Sequence, residues 1–264
     1  MALRSANITV MIQAAHKAAR PLVRDFGEVE NLQVSIKGPG DFVSAADRRA
    51  EQILRRELGR ARPTFGFLLE ESGVIAGEDR EQRWVVDPLD GTTNFLHGLP
   101  HFAISIALER RGELIAGVIY DPIKDELFCA EKGAGAYLND RRLRVSGRSD
   151  LATCLIGTGI PVLDWPGREQ GFAGQLERLS GEVAGIRRLG TASLDLAYVA
   201  AGRLDGFWEF GLKPWDVAAG IVLVREAGGL VGRLEGEGDV AAGTLVASNA
   251  VIHPRLVQLL RVNQ

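Results

Sequence analysis

Apolar residues at Ile8, Met11, Ile12, Ala15, Ala19, Val23 and Phe26 recur in steps of three and four, which predicts an amphipathic helix over residues 4–26. A Gly-Pro-Gly at 38–40 breaks that pattern. Ser44 followed by Asp47 has the form of a capping signal for a second helix reaching about residue 60, and Asp47 is also a candidate functional acid. Two short apolar runs follow, F-G-F-L-L-E at 65–70 and W-V-V-D at 84–87. Each closes on an acid, as strands do when they deliver ligands at their ends. Between 102 and 131, A-I-S-I-A-L-E-R, G-E-L-I-A-G-V-I-Y-D and E-L-F-C-A-E predict an antiparallel meander, with Arg-Gly and Asp-Pro at its turns.

After the basic turn N-D-R-R-L-R at 139–144 the pattern changes to strands alternating with helices, the helices at about 169–183, 192–202, 214–227 and 251–262. This shift places a subdomain boundary near 145, with an α+β part over 1–145 and an α/β part over 146–264. No internal repeat and no linker rich in Gly, Ser or Pro separates them, so the halves are expected to pack rigidly, with a site between them.

Composition acts mainly by exclusion. The chain has 264 residues, 46% hydrophobic and 25% charged, which is ordinary for a folded protein. A formal net charge of -3 argues against a general affinity for nucleic acid or membranes, both of which need clustered positive charge. No apolar stretch approaches the roughly 18 residues of a membrane span, and the expected location is the cytoplasm. Cys129 and Cys154 lack the spacing of a zinc site or a disulfide framework. His16, His97, His101 and His253 show no ligand pattern, since Gly-Leu-Pro separates His97 from His101.

Candidate chemistry centres on W-V-V-D-P-L-D-G-T-T-N-F at 84–95. Asp, Pro and Gly are what a plain turn needs, and Asp also caps helices. Yet Val85 and Val86 predict a buried strand, and two carboxylates at its end would be unfavourable without compensation. A hard divalent cation resolves the conflict, with Asp87, Asp90 and the Leu89 carbonyl as oxygen ligands. Gly91 permits close backbone approach, and the amides from Thr92 onward are suited to phosphate. Glu70 and Glu71 close the preceding strand, where either reaches the same ion or the pair forms a plain solvated turn. Asp216, in K-P-W-D-V-A-A-G, sits in the first turn of a helix whose buried side is expected at Val217, Ile221, Val224 and Ala227. There it either complements the helix dipole or binds metal, and spacing alone does not choose.

Three motifs in this order, L-L-E-E-S-G, W-V-V-D-P-L-D-G-T-T-N-F and W-D-V-A-A-G, resemble the inositol monophosphatase family over almost the whole chain. The resemblance implies a magnesium-dependent, lithium-sensitive phosphatase with a five-layered αβαβα sandwich of the sugar-phosphatase type. It implies two or three Mg2+ ions held by Glu70, Asp87, the Leu89 carbonyl, Asp90 and Asp216. Asp87 bridges, and Asp90 and Asp216 serve a second ion, so most ligands belong to 1–145 and the last one to 146–264. Phosphate would lie on Gly91 and Thr92, with Thr92, Asp47 and Glu70 as the catalytic groups, Thr92 and Asp47 positioning the attacking water. Ala192 in G-T-A-S and Glu209 in W-E-F, whose plainer reading is an edge-strand surface acid, would line the alcohol pocket beside Asp90 and Asp216, and Lys37 in S-I-K-G-P-G-D would either approach the metals or be solvated.

The implied substrate is inositol monophosphate, with phosphoadenosine phosphate, fructose bisphosphate and histidinol phosphate as rivals sharing the metal motifs. A homodimer is implied as well. Some bacterial relatives act with the transcription machinery, a role for which N-D-R-R-L-R and I-R-R-L are the candidate basic patches, against the plainer reading of solvated arginines.

Overall fold

Ser5 accepts a hydrogen bond from the Ile8 amide at 3.3 Å and so caps the first helix, α1 (Ala6–Phe26). The computed structural model describes residues 4–28, 34–38, 41–160, 171–234 and 243–261, with backbone alone over 34–38 and 41–44. The expected loop tip at 39–40 and the side chain of Lys37 lie outside the described residues. After α1 come β1 (Val34–Gly38), β2 (Asp41–Ser44), α2 (Ala45–Ala61), β3 (Phe65–Leu69), β4 (Gly73–Ile75), β5 (Asp79–Asp90) and α3 (Thr92–Leu96). The meander follows as β6 (Ala103–Arg110), β7 (Glu113–Asp121), β8 (Glu126–Glu131), β9 (Gly135–Leu138) and β10 (Arg141–Arg142). The remainder is β11 (Leu155–Thr158), α4 (Phe172–Ser180), β12 (Gly185–Arg187), α5 (Ala192–Ala200), β13 (Gly206–Leu212), α6 (Pro214–Glu226), β14 (Gly229–Arg233), β15 (Gly243–Asn249) and α7 (His253–Leu260).

Two large sheets organise these elements. The first runs β10-β9-β8-β7-β6-β5-β3-β4 and is antiparallel except where β3 lies parallel to β5. The second runs β12-β11-β13-β15-β14, parallel across β12, β11 and β13 and antiparallel beyond. Alternating side chains assign the faces. On β6, Ile104, Ile106 and Leu108 join the core under α1 and α2, while Ala103 and Ala107 join the core around α5 and α6. On β15, Leu245 and Ala247 face α5 and α6, while Val246 faces α7. The layers are therefore α1 and α2, the first sheet, α5 and α6, the second sheet, then α4 and α7. Among the described residues no helix is long and apolar enough to cross a membrane.

Position in these layers explains each helix. α1 and α2 bury one face and join across it through ion pairs from Lys17 to Glu57 and from Arg49 to Asp25. α6 differs from its expected one-sided pattern, being buried at every position from Val217 to Val224. A sheet lies on either side of it, so no face is left for water. The five-layered αβαβα expectation thus matches the observed architecture.

Leu196 of α5 is fully buried in the central layer, and its side chain lies where a side chain on Gly220 of α6 would fall. Leu196→Ala should lower stability by about 2–5 kcal/mol. In urea denaturation the midpoint should fall with the slope unchanged.

Candidate active site

Side chains alternate along a regular strand, so acids three residues apart would face opposite sides of the sheet. β5 does not stop at Asp87, as the sequence pattern suggests, but continues through Asp90 with a change of register. Asp87 pairs with Ser105 and Asp90 with Ala103, so three steps on β5 answer two on β6. The extra residue is a bulge. It accommodates Pro88, which has no amide proton for the ladder, and it turns both carboxylates to one side. The Asp87 side chain accepts the Leu89 amide at 2.9 Å, which holds the bulge closed.

Other elements bring their acids to the same place. β3 runs parallel to β5, and the Glu70 amide donates to the Val86 carbonyl at 3.2 Å, placing Glu70 beside Asp87. The turn after it is tied to α2. Glu51, buried, accepts the Glu71 amide at 2.9 Å, the Ser72 amide at 3.4 Å and the Ser72 hydroxyl. Asp216 comes from the first turn of α6, where it accepts the Lys213 amide at 2.7 Å. The helix-terminus role and the place in the acid cluster coexist.

Burial foremost, then the charges of Glu70, Asp90 and Asp216, hold Asp87 well above the usual carboxylate range. Asp216 is raised likewise, by burial and then by Asp90, against the Lys213 amide. Asp90 is pushed up to about 6 by burial, while hydrogen bonds from Ser193 and the amides of Ala192 and Gly91 restrain the rise. The Ser193 amide reaches the Asp90 carboxylate at 2.7 Å, so a β5 acid caps α5 from 103 positions away in the chain.

Thr92 and Asp47 meet as expected. Thr92 Oγ1 lies 2.9 Å from Asp47 Oδ1 and 3.0 Å from the Leu89 carbonyl oxygen, and Asp47 is fully buried on α2. Gly91 between the acids and Thr92 has φ 93°, and a Cβ there would stand 2.5 Å from Thr191 Oγ1. Only glycine fits that backbone and that contact. Asn94, buried in α3, donates to the carbonyls of His101 at 2.9 Å and Leu189 at 2.8 Å, which pins the approach to α5 against the first sheet.

On the second-half side, Ala192 opens α5 and Glu209 projects from β13. Burial and then the charge of Asp90 push Glu209 up to about 8, against the opposing charge of Arg188. Asp195, 1% exposed on α5, is raised by burial and then by Glu209 and Asp90, and among the described residues its Oδ1 has no hydrogen-bond partner. The sequence reading missed Glu51, Asn94 and Asp195. The N of D-G-T-T-N was visible in the motif, but the other two sit in ordinary helical patterns. The cysteines are buried, free thiols, Cys154 pushed up to about 11 by burial. His16 packs on Tyr120, and His253 Nδ1 lies 2.8 Å from Ser248 Oγ.

Glu70, Asp87, Asp90, Asp216 and the Leu89 carbonyl form an all-oxygen donor set whose members repel one another in a buried place. That chemistry fits a hard divalent cation. Among the described residues no three His, Cys, Asp or Glu side chains close around a single point, so the acids are grouped rather than wrapped into a finished shell.

The layered fold, with its acids where the first sheet meets the central helices, is that of an α+β phosphatase. The sequence profile of the inositol monophosphatase family matches residues 4–264, and the chain belongs to that family. It is 59% identical to an inositol-1-monophosphatase of Mesorhizobium japonicum, covering 98% of this chain and 97% of that one. It is 47% identical to the Nus factor SuhB of Pseudomonas aeruginosa, covering 92% and 91%. The crystal structure of the extragenic suppressor protein suhB from Bartonella henselae superposes with a TM-score of 0.94 at 58% identity, covering 98% of this chain and all of that one.

Raised pKa values have a consequence for stability. Above about pH 4 to 5 the unfolded chain has released carboxyl protons that folded Asp90 and Glu209 still hold, up to about 6 and about 8. The folded state then binds more protons, so the contribution of these groups to stability falls as pH rises through that window. With a chelator present, the melting temperature should decline between about pH 5 and about pH 8, and Glu209→Gln should flatten the upper part of the decline.

Proposed function

We propose that the chain hydrolyses inositol monophosphate to myo-inositol and phosphate, in the cytoplasm and as a homodimer, with magnesium as its cation. The observation that carries this reading is the group of Glu70, Asp87, Asp90 and Asp216, Asp87 buried and the other three half-buried, whose mutual repulsion calls for positive charge beside the Thr92 and Asp47 pair. Two or three Mg2+ ions would be held by those four acids and the Leu89 carbonyl. When bound they supply a lowered pKa for water and positive charge for the phosphate and the departing alcohol.

The residues do the rest. With its proton donated to Asp47, the Thr92 hydroxyl oxygen accepts a hydrogen bond from the attacking water and aims its lone pair at phosphorus. Gly91 and Thr92 present backbone to the phosphate oxygens. The Ser193 amide keeps Asp90 turned to the cluster, and Glu51 holds the turn that carries Glu70. Glu209 receives sugar hydroxyls, with Ala192 beside it leaving room for the ring. A vicinal diol suits Glu209 better than a nucleotide does, which favours inositol phosphate over phosphoadenosine phosphate. Fructose bisphosphate and histidinol phosphate share the metal chemistry and are separated by assay.

A second reading is favoured by the likeness to a protein named as a Nus factor. Arg141, Arg142, Arg144, Arg187 and Arg188 are exposed and would form its contact surface. Binding of an inactive Asp90→Asn protein to RNA polymerase tests that role apart from catalysis.

Asp90→Asn should keep the fold, read by circular dichroism, and lower magnesium-dependent phosphate release by more than about a hundredfold. Full activity would remove Asp90 from the metal site. Thr92→Ala should lower kcat by about a hundredfold or more with little change in the magnesium concentration giving half-maximal rate. A raised KM with unchanged kcat would make Thr92 a substrate contact alone.

A further inference from the structure

The carboxylate of Glu209 stands over bare backbone. A Cβ built on Gly159 would lie 1.8 Å from Glu209 Oε1 and 1.9 Å from its carboxyl carbon. Strand register explains the meeting. β11 pairs with β13 in parallel, Ile156 with Gly206, Gly157 with Phe207 and Thr158 with Trp208, so one step further residue 159 comes abreast of residue 209. Two residues back, on the same face, a Cβ on Gly157 would meet Asp195 Oδ1 at 3.3 Å and Leu204 Cδ1 at 2.9 Å. The two glycines thus form a side-chain-free strip beneath the two second-half acids.

Neither glycine has a positive φ, so the backbone by itself accepts an L side chain at both positions. What Gly159 supplies is space. The atoms that an alanine would displace are the far end of a flexible glutamate, not backbone, so the displaced object is the Glu209 carboxylate rather than the sheet.

We propose that Gly159 is a specificity-determining position, a bare shelf just past the end of β11 that sets the height and direction of the Glu209 carboxylate in the alcohol pocket. The proposal rests on Glu209 as the acceptor of substrate hydroxyls. Gly159 touches no substrate in this account. It acts through Glu209 and is a positioning residue.

The test compares wild type, Glu209→Ala, Gly159→Ala and the double variant on myo-inositol 1-phosphate and on p-nitrophenyl phosphate, which has no sugar hydroxyls. Glu209→Ala should lose about ten- to a hundred-fold in kcat/KM on the inositol ester and far less on the aryl ester, the range for leaving a buried substrate hydroxyl without its hydrogen-bond partner. Gly159→Ala should show the same selective loss, carried largely in KM, and the double variant should be no worse than Glu209→Ala. Selective loss in Glu209→Ala with none in Gly159→Ala overturns the shelf and leaves the Glu209 reading standing. Equal losses on both esters in Glu209→Ala overturn that reading, and the shelf with it. If Gly159→Ala melts early, removing the glutamate in the double variant should restore the melting temperature, and failure to restore it places the clash elsewhere and overturns the proposal.

Discussion

Four carboxylates held within one another's field are the constraint on which this molecule is built. Glu70, Asp87, Asp90 and Asp216 lie close enough that each neighbour adds to the proton affinity of Asp87, on top of the effect of burial. Such a group is unfavourable in a folded core unless protons or cations offset it. Its persistence therefore depends on stiff surroundings that fix all four donors at once, and the layered architecture supplies them. Two acids come from one strand, one from the strand beside it, and one from a helix clamped between two sheets.

The backbone spends its irregularity where those acids are delivered. Along β5 a single bulge turns Asp87 and Asp90 together and uses the one residue, Pro88, that a regular ladder would reject. Gly91 then turns the chain with φ 93° against Thr191. Amides do most of the fixing: Leu89 on Asp87, Ser193 on Asp90 and Lys213 on Asp216. Amide donors stabilise the charged form of a carboxylate without introducing a competing cation, so they orient the acids while leaving the cluster's demand for positive charge in place.

Contacts between residues before and after 145 tie the chain into one unit. Asn94 reaches the Leu189 carbonyl, Thr191 reaches that of His101 at 3.0 Å, and Asp90 caps α5, so the start of α5 moves with the acid cluster. The hydrophobic core repeats the message, since residues of the first sheet, α5, α6 and the second sheet share one cluster. The acids of the first sheet and the helices behind them thus pack as one unit.

Much of this was legible in the chain before any coordinates. The steps of three and four in α1, the meander from β6 to β8, the alternation after residue 145 and the acids closing two apolar runs are local signals, set by which faces of a helix or strand must avoid water. The three motifs carried the family by resemblance, and through it the acid set, whereas spacing alone left Asp216 between a helix-dipole role and a metal. Tertiary structure alone decided what depends on elements meeting. Spacing would have set Asp87 and Asp90 on opposite faces, and only pairing with β6 reveals the bulge that joins them. The pattern gave α6 one buried side, and only the second sheet explains why it has no exposed one. Asp195, Glu51 and the contact of Glu209 with Gly159 left no local mark, because burial and close approach are relations between segments distant in sequence, fixed only when the layers close.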